Sequence, residues 1–253
     1  VHGTRLFENR LQVTPSRILE WFILTRIKYD VQISVTKAFL KFKNVNKQSF
    51  SSNKNIIYIP NGVDLEKFQR VKIKKANYSK ILWVGRFDPV KRLEDLLYAM
   101  QILKKEIPTA KLTIVGYGPL EKKLKNLKMT LKLTNVEFAG KKEDINLIRE
   151  YKNSHLFVIC SDSEGQPLGV LQALAASLPV VATKTGGIPE IVKDKVNGLL
   201  VPPNDYRSLA NAIIWCLINK NNFGKIGHTM VSKMNNWDDV AEKTLSVYRR
   251  LSK

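Results

Sequence analysis

From Lys80 to Asp205 the chain repeats one pattern: a short run rich in Val, Ile and Leu, a turn of polar or glycine residues, then an amphipathic stretch. KILWVG (80–85), KLTIVG (111–116), NVEFAG (135–140), the apolar run opened by His155, Pro179 to Ala182, and GLLVPPND (198–205) read as strands. Arg92 to Lys105, Leu120 to Leu131, Glu143 to Lys152, Gln166 to Ser177 and the segment that Asp205 initiates carry helical periodicity. A helix after each strand returns the chain to the sheet edge where it began, so successive strands pair in parallel. Parallel strands are covered on both faces, which is why these runs are apolar throughout. The expected fold class is α/β, a Rossmann-like doubly wound parallel sheet, with its ligand outside the carboxyl ends of the strands.

The flanks are less regular. TPSRILEWFILTRIKY has Thr14 as a cap and Pro15 at the first helical position. Its Trp21, Phe22 and Leu24 fit core packing in a partial domain, with an interfacial membrane helix as the alternative. DVQISVT (30–36) reads as a strand, AFLKFKN as a short helix, Asn44 to Asn55 as a loop, and IIYIPNGVD (56–64) as a strand ended by the Pro60-Asn61-Gly62 turn. A basic linker follows, around Arg70 to Lys80. A last helix runs from Trp237 through Arg250, with Val240, Leu245 and Tyr248 expected on its buried face. The opening VHGT looks like the end of a strand whose earlier part is missing, so the chain is expected to be truncated.

Length and charge bound the function. The 253 residues, 44% hydrophobic and 25% charged, suffice for one full domain and part of a second. A formal charge of +20 admits polyanions, anionic membranes and phosphorylated substrates as partners. The lysines are scattered over helices and no nucleic-acid module is present, so specific nucleic-acid binding is not expected. Cys160 and Cys216 lack metal-like spacing and read as buried thiols in a reducing compartment. His2, His155 and His228 are dispersed, which argues against a structural metal. The apolar window Ile18 to Ile27 is too short to span a bilayer, and a signal peptide is not expected.

Strand-end loops hold the candidate chemistry. VGRFDPVK places Arg86 and Lys91 on one loop, where a forked guanidinium and a point charge can clamp a diphosphate at roughly 1.5–3 kcal/mol per charge-assisted bond. Paired with Asp88, the same residues could be ordinary surface. Gly116 and Gly118 form a Gly-x-Gly turn that allows close approach to a ligand or is simply tight; the third glycine of a dinucleotide fingerprint is absent, which counts against NAD. Glu164 would be repelled by a diphosphate, so within a site it faces sugar hydroxyls. The first-turn N–H groups of Leu168, Gly169 and Val170 suit phosphate, and Gly169 leaves room for its approach. Gln172, one turn on, could hold a ribose hydroxyl or be plain helix surface.

In order, IPNGVD, VGRFDPVK, IVGYGPL, SDSEGQPLG, TGGIPEIV and NGLLVPPND resemble the retaining glycosyltransferases of family 4, which have the GT-B architecture of two Rossmann-like domains facing across a cleft. The likeness extends from residue 59 to the Trp237 helix. It implies residues 1–65 as the remnant of an N-terminal acceptor-binding domain with its linker, 66–235 as the nucleotide-sugar-binding domain, and 236–253 as a helix crossing back. It also implies transfer from a nucleoside diphosphate sugar to an acceptor hydroxyl of a lipid, polysaccharide or small molecule, with no cofactor and no required metal. Implied roles are donor diphosphate binding by Arg86 and Lys91, and catalytic roles for Glu164, in contact with the donor sugar, and for His2 near that sugar. The loop carrying Lys141 and Lys142 resembles the region that meets the base. The second hallmark glutamate is here Gln172, which offers one acceptor and one donor group and is expected to alter ribose binding by about 1 kcal/mol. The alternative is a non-catalytic nucleotide-sugar-binding fragment or partner subunit. The expected location is the cytoplasm, with the inner face of an anionic membrane as a peripheral contact.

Overall fold

The computed structural model describes residues 30–38, 56–219, 222–234 and 236–252. The expectations for TPSRILEWFILTRIKY, for Asn44 to Asn55 and for His2 lie outside those residues. Two short strands, β1 (Gln32–Ser34) and β2 (Ile56–Tyr58), pair in parallel. Helix α1 (Leu65–Arg70) follows, capped by the Asp64 side chain. The main sheet comprises β3 (Lys80–Arg86), β4 (Lys111–Tyr117), β5 (Val136–Phe138), β6 (Leu156–Ile159), β7 (Val180–Thr183) and β8 (Gly198–Val201). Its order is β5-β4-β3-β6-β7-β8 and every pairing is parallel. The doubly wound expectation therefore holds. Strand order reverses between β3 and β6, which opens a crevice at their carboxyl ends.

Helices α2 (Leu93–Glu106), α3 (Glu121–Thr130), α4 (Asp144–Asn153), α5 (Leu168–Ala175), α6 (Ile188–Ile191), α7 (Tyr206–Ile218), α8 (Phe223–Val231) and α9 (Trp237–Leu251) complete the described elements. Successive strand residues point to opposite faces and fill two cores. Ile81, Trp83, Leu112 and Ile114 join Leu96, Met100 and Ile213 on one face. Leu82, Val115 and Phe157 join Tyr151, Val170 and Leu174 on the other. Each fully buried Leu, Ile or Phe side chain contributes about 1.5–3 kcal/mol.

One boundary and one buried face differ from the periodicity. Helix α5 begins at Leu168 rather than Gln166, because Pro167 disfavours helical backbone at the residue before it and itself occupies the cap. On α9 the buried residue is Val247, while Leu245 and Tyr248 are exposed. At about 3.6 residues per turn, Val240, Thr244 and Val247 share a stripe from which positions 245 and 248 are rotated away. That stripe meets β2: Val247, Lys243, Ser246 and Arg250 line a cleft of about 300 Å³ with Ile57, Tyr58 and Ile59. A Cβ on Gly62 would lie 2.7 Å from the Asn236 carbonyl, so the turn after β2 sits directly on the α9 cap. Among the described residues no helix is long and apolar enough to cross a membrane.

Candidate functional site

Arg86, Lys91 and Glu164, three of the polar groups that the sequence singles out, lie in the loops at the carboxyl ends of β3 and β6. Arg86 ends β3 with an exposed side chain, its Nε 2.9 Å from Asp88 Oδ2. A 3-10 turn, Pro89–Lys91, follows, and Arg92 turns the chain in left-handed backbone (φ 52°). The buried Cys160 thiol donates to the carbonyls of Lys91 (3.2 Å) and Arg92 (3.3 Å), tying this loop to the end of β6. Burial pushes that thiol well above its ordinary range, so it remains a donor rather than a nucleophile. Arg92 holds Asp95 through Nε and Nη2 at 3.0 and 3.2 Å. Burial opposes the Arg92 charge, but Asp95 and Asp162 outweigh it and raise the guanidinium further.

So fixed, Lys91 places Nζ 2.7 Å from Glu164 Oε1, which also accepts from Ser161 Oγ at 2.6 Å. Glu164 is buried, at 8% exposure. Two residues expected on different parts of one ligand are thus partners of each other, and Glu164 Oε2 makes no hydrogen bond among the described residues. The loop is braced from β7: Thr183 Oγ1 donates to the Ser161 carbonyl (2.7 Å) and Thr185 Oγ1 to the Asp162 carbonyl (2.6 Å). Gly186 has φ +50°, and a Cβ there would lie 1.9 Å from the Glu164 carbonyl oxygen. The Gly187 N–H donates to that same oxygen at 3.0 Å.

Helix α5 starts at this crevice. Leu168 is exposed on its first turn. The missing Gly169 side chain points inward: a Cβ there would sit 3.1 Å from Phe157 Cζ and 3.4 Å from the Tyr151 hydroxyl. Gly169 therefore lets α5 seat on β6, and does not clear space for a ligand as expected. The Val170 N–H donates to the Pro167 carbonyl at 3.1 Å, within the first turn of the helix. Gln172 Oε1 accepts from the Tyr151 hydroxyl at 3.0 Å. Burial raises Tyr151 far above the usual phenol range, so its proton stays in place and needs an acceptor. That bond aims the Gln172 amide nitrogen away from Tyr151; the nitrogen makes no hydrogen bond among the described residues.

The remaining assignments divide. A Cβ on Gly116 (φ +139°) would lie 1.8 Å from the Gly85 carbonyl oxygen, and one on Gly118 2.5 Å from the Phe87 nitrogen. Close approach is real at both positions, but to the neighbouring β3 loop. Lys141 pairs with Glu143 at 2.6 Å and lies 5.8 Å from the Tyr117 ring centroid. Lys142 is bound to Glu150, whose other oxygen holds Lys80 at 2.7 Å. Burial opposes the Glu150 charge, yet the two lysines keep its carboxyl below the ordinary range.

Sequence reasoning passed over several groups around the crevice. Gln166 accepts from the Asn61 backbone N–H, and Asn61 Nδ2 donates to the Gln166 carbonyl at 2.9 Å, pinning the turn after β2 to the loop before α5. Glu190 accepts from Thr36 Oγ1 (2.6 Å) and from the N–H groups of Ala38 (2.7 Å) and Lys37 (3.1 Å), where a helix begins after β1. The only local hint was a carboxylate one turn after the paired glycines. Among the described residues no three His, Cys, Asp or Glu side chains converge as metal ligands.

The family model described as glycosyl transferases group 1 matches residues 64–243. An uncharacterized glycosyltransferase of Haemophilus influenzae is 33% identical over 173 residues, 68% of this chain and 48% of its own length. A sucrose-phosphate synthase structure from Thermosynechococcus elongatus superposes with TM-score 0.79 at 26% identity, over 98% of this chain and 64% of that one. The Anabaena protein Alr3699/HepE, solved with UDP and glucose, superposes with TM-score 0.78 at 20% identity, over 95% of this chain and 68% of that one. The chain spans about half the length of the curated relatives it matches.

Proposed function

The chain belongs to the glycosyl transferases group 1 family, and on that premise we propose that it binds a nucleoside diphosphate sugar in the β3/β6 crevice and takes part in retaining transfer of a hexosyl group to an acceptor hydroxyl. The observation that carries this reading is the pairing of Lys91 with buried Glu164 where strand order reverses, beside the start of α5, with Arg86 at the carboxyl end of the neighbouring β3. Arg86 and Lys91 would stabilise the leaving diphosphate as its negative charge develops, in place of a metal ion. Glu164 Oε2 would accept from a donor-sugar hydroxyl, while Oε1 stays with Lys91 and Ser161. HepE, which was solved with UDP and glucose, supports a nucleotide sugar as the donor class.

Donor turnover tests this directly. Incubation with UDP- and GDP-linked hexoses, with acceptor extracts present, should release nucleoside diphosphate, and Glu164→Gln should reduce the rate at least about a hundredfold. A non-catalytic nucleotide-sugar-binding role is the second reading, favoured by Gln172 in place of the hallmark carboxylate. Tight donor binding with no turnover under any acceptor condition would select it over transfer.

We further propose a cytoplasmic location with peripheral contact to anionic membrane. Arg70, Lys72 and Arg149 line a cleft of about 560 Å³ together with Val71, Ile73 and Ile145. Ile73 and Ile145 are exposed there. Cations beside exposed apolar side chains complement a surface of lipid phosphates.

A further inference from the structure

Tyr117 closes β4 with its side chain in the open, at 54% exposure, on the carboxyl edge of the sheet. It stands in register with Arg86 on β3. Side-chain alternation puts both residues on one face, because Leu82 and Val84 precede Arg86, and Val115 precedes Tyr117, in the core covered by α4 and α5. Gln172 lies on that same face, between α5 and Tyr151 of α4.

The backbone around Tyr117 is held from both sides. The Phe87 N–H donates to the Tyr117 carbonyl at 2.9 Å, and the Gly116 N–H to the Gly140 carbonyl at 2.8 Å. Gly116 and Gly118 press against Gly85 and Phe87 with no room for a Cβ. The ring is therefore an exposed group on a rigid mount. Lys141 Nζ lies over the ring, 5.8 Å from its centroid, and is paired with Glu143, so a stacked base would take the opposite face.

Sheet order supplies the rest. In β5-β4-β3-β6, Tyr117 and Glu164 fall on opposite sides of Arg86. A nucleoside diphosphate sugar has the same order, with base and ribose on one side of the diphosphate and the sugar on the other. Resting on the nucleotide-sugar reading above, we propose that Tyr117 is the platform on which the nucleobase stacks. Stacking on an aromatic face is tolerant of base identity, so Tyr117 would contribute affinity for nucleotides as a class.

Calorimetry on the full chain separates the parts of the ligand, with UDP and GDP as base-bearing probes and inorganic pyrophosphate as the probe without a base. Tyr117→Ala should weaken both nucleotides about tenfold or more and leave pyrophosphate unchanged, while Tyr117→Phe stays within about twofold of wild type. Arg86→Ala should weaken all three probes. Nucleotide affinity untouched by Tyr117→Ala, or an equal loss for pyrophosphate, would overturn the platform while leaving the diphosphate site standing. Wild-type chain that binds pyrophosphate as tightly as UDP and GDP would have the same meaning. Failure of the wild-type chain to bind any nucleoside diphosphate would overturn both this proposal and the reading beneath it.

Discussion

A single hydrogen bond changes what Gln172 means. The sequence marks it as an amide where the family resemblance expects a carboxylate, and that departure alone leaves open which end of the amide faces a ligand. The buried Tyr151 hydroxyl claims Oε1 at 3.0 Å, so on the proposed donor reading the group left to meet a ribose would be an N–H donor. Glu at this position could still accept from Tyr151 with one oxygen and from ribose with the other. Gln172→Glu should therefore leave nucleoside diphosphate binding equal or tighter, by up to about 1 kcal/mol or roughly fivefold. Titration calorimetry checks this, and a clear loss of affinity would mean that the position serves a different ligand. Lys91 and Glu164 teach the same lesson: both residue types were legible, but their mutual pairing was not.

At the level of elements, the site depends on loops pressed together without side chains between them. Gly186 is the sharpest case, since its φ of +50° and a Cβ position 1.9 Å from the Glu164 carbonyl leave no space for even a methyl group. Gly186→Ala should cost about 2 kcal/mol or more, roughly 4–8 °C in Tm for a domain of this size, and should also impair donor binding by displacing Glu164. An unchanged Tm in a thermal melt would refute the close approach. Glu150 is a second junction, joining α4 to Lys80 at the start of β3 and to Lys142 in the loop after β5. Its folded carboxyl sits below the ordinary carboxylate range, so its stabilisation is present above the unfolded value, about 4.3, and fades as pH falls through the folded one. Urea unfolding should accordingly find Glu150→Gln less stable than wild type at pH ~7, with the gap closing near pH ~3. A gap that stays constant with pH would remove the ionic explanation.

For the whole molecule, the proposed membrane contact rests on the formal charge of +20 and on the cleft that Arg70, Lys72 and Arg149 line with Ile73 and Ile145. Cosedimentation should show binding to vesicles containing anionic lipid, release at high salt, and loss with Lys72→Glu combined with Arg149→Glu. Equal binding to neutral vesicles would count against an electrostatic surface. The sequence by itself determined the α/β class, the parallel sheet and the loops that carry Arg86, Lys91 and Glu164. Strand and helix periodicities, and a strand end running into a helix start, are properties of neighbouring residues and survive in a linear reading. The partner of each side chain was decided only by tertiary structure. Lys91 and Glu164 are 73 positions apart, Tyr151 and Gln172 are 21 apart, and Glu190 reaches Ala38 across 152. Strand order, register and the close contacts of Gly116 and Gly186 bring such residues within hydrogen-bond range, and no local pattern encodes those distances.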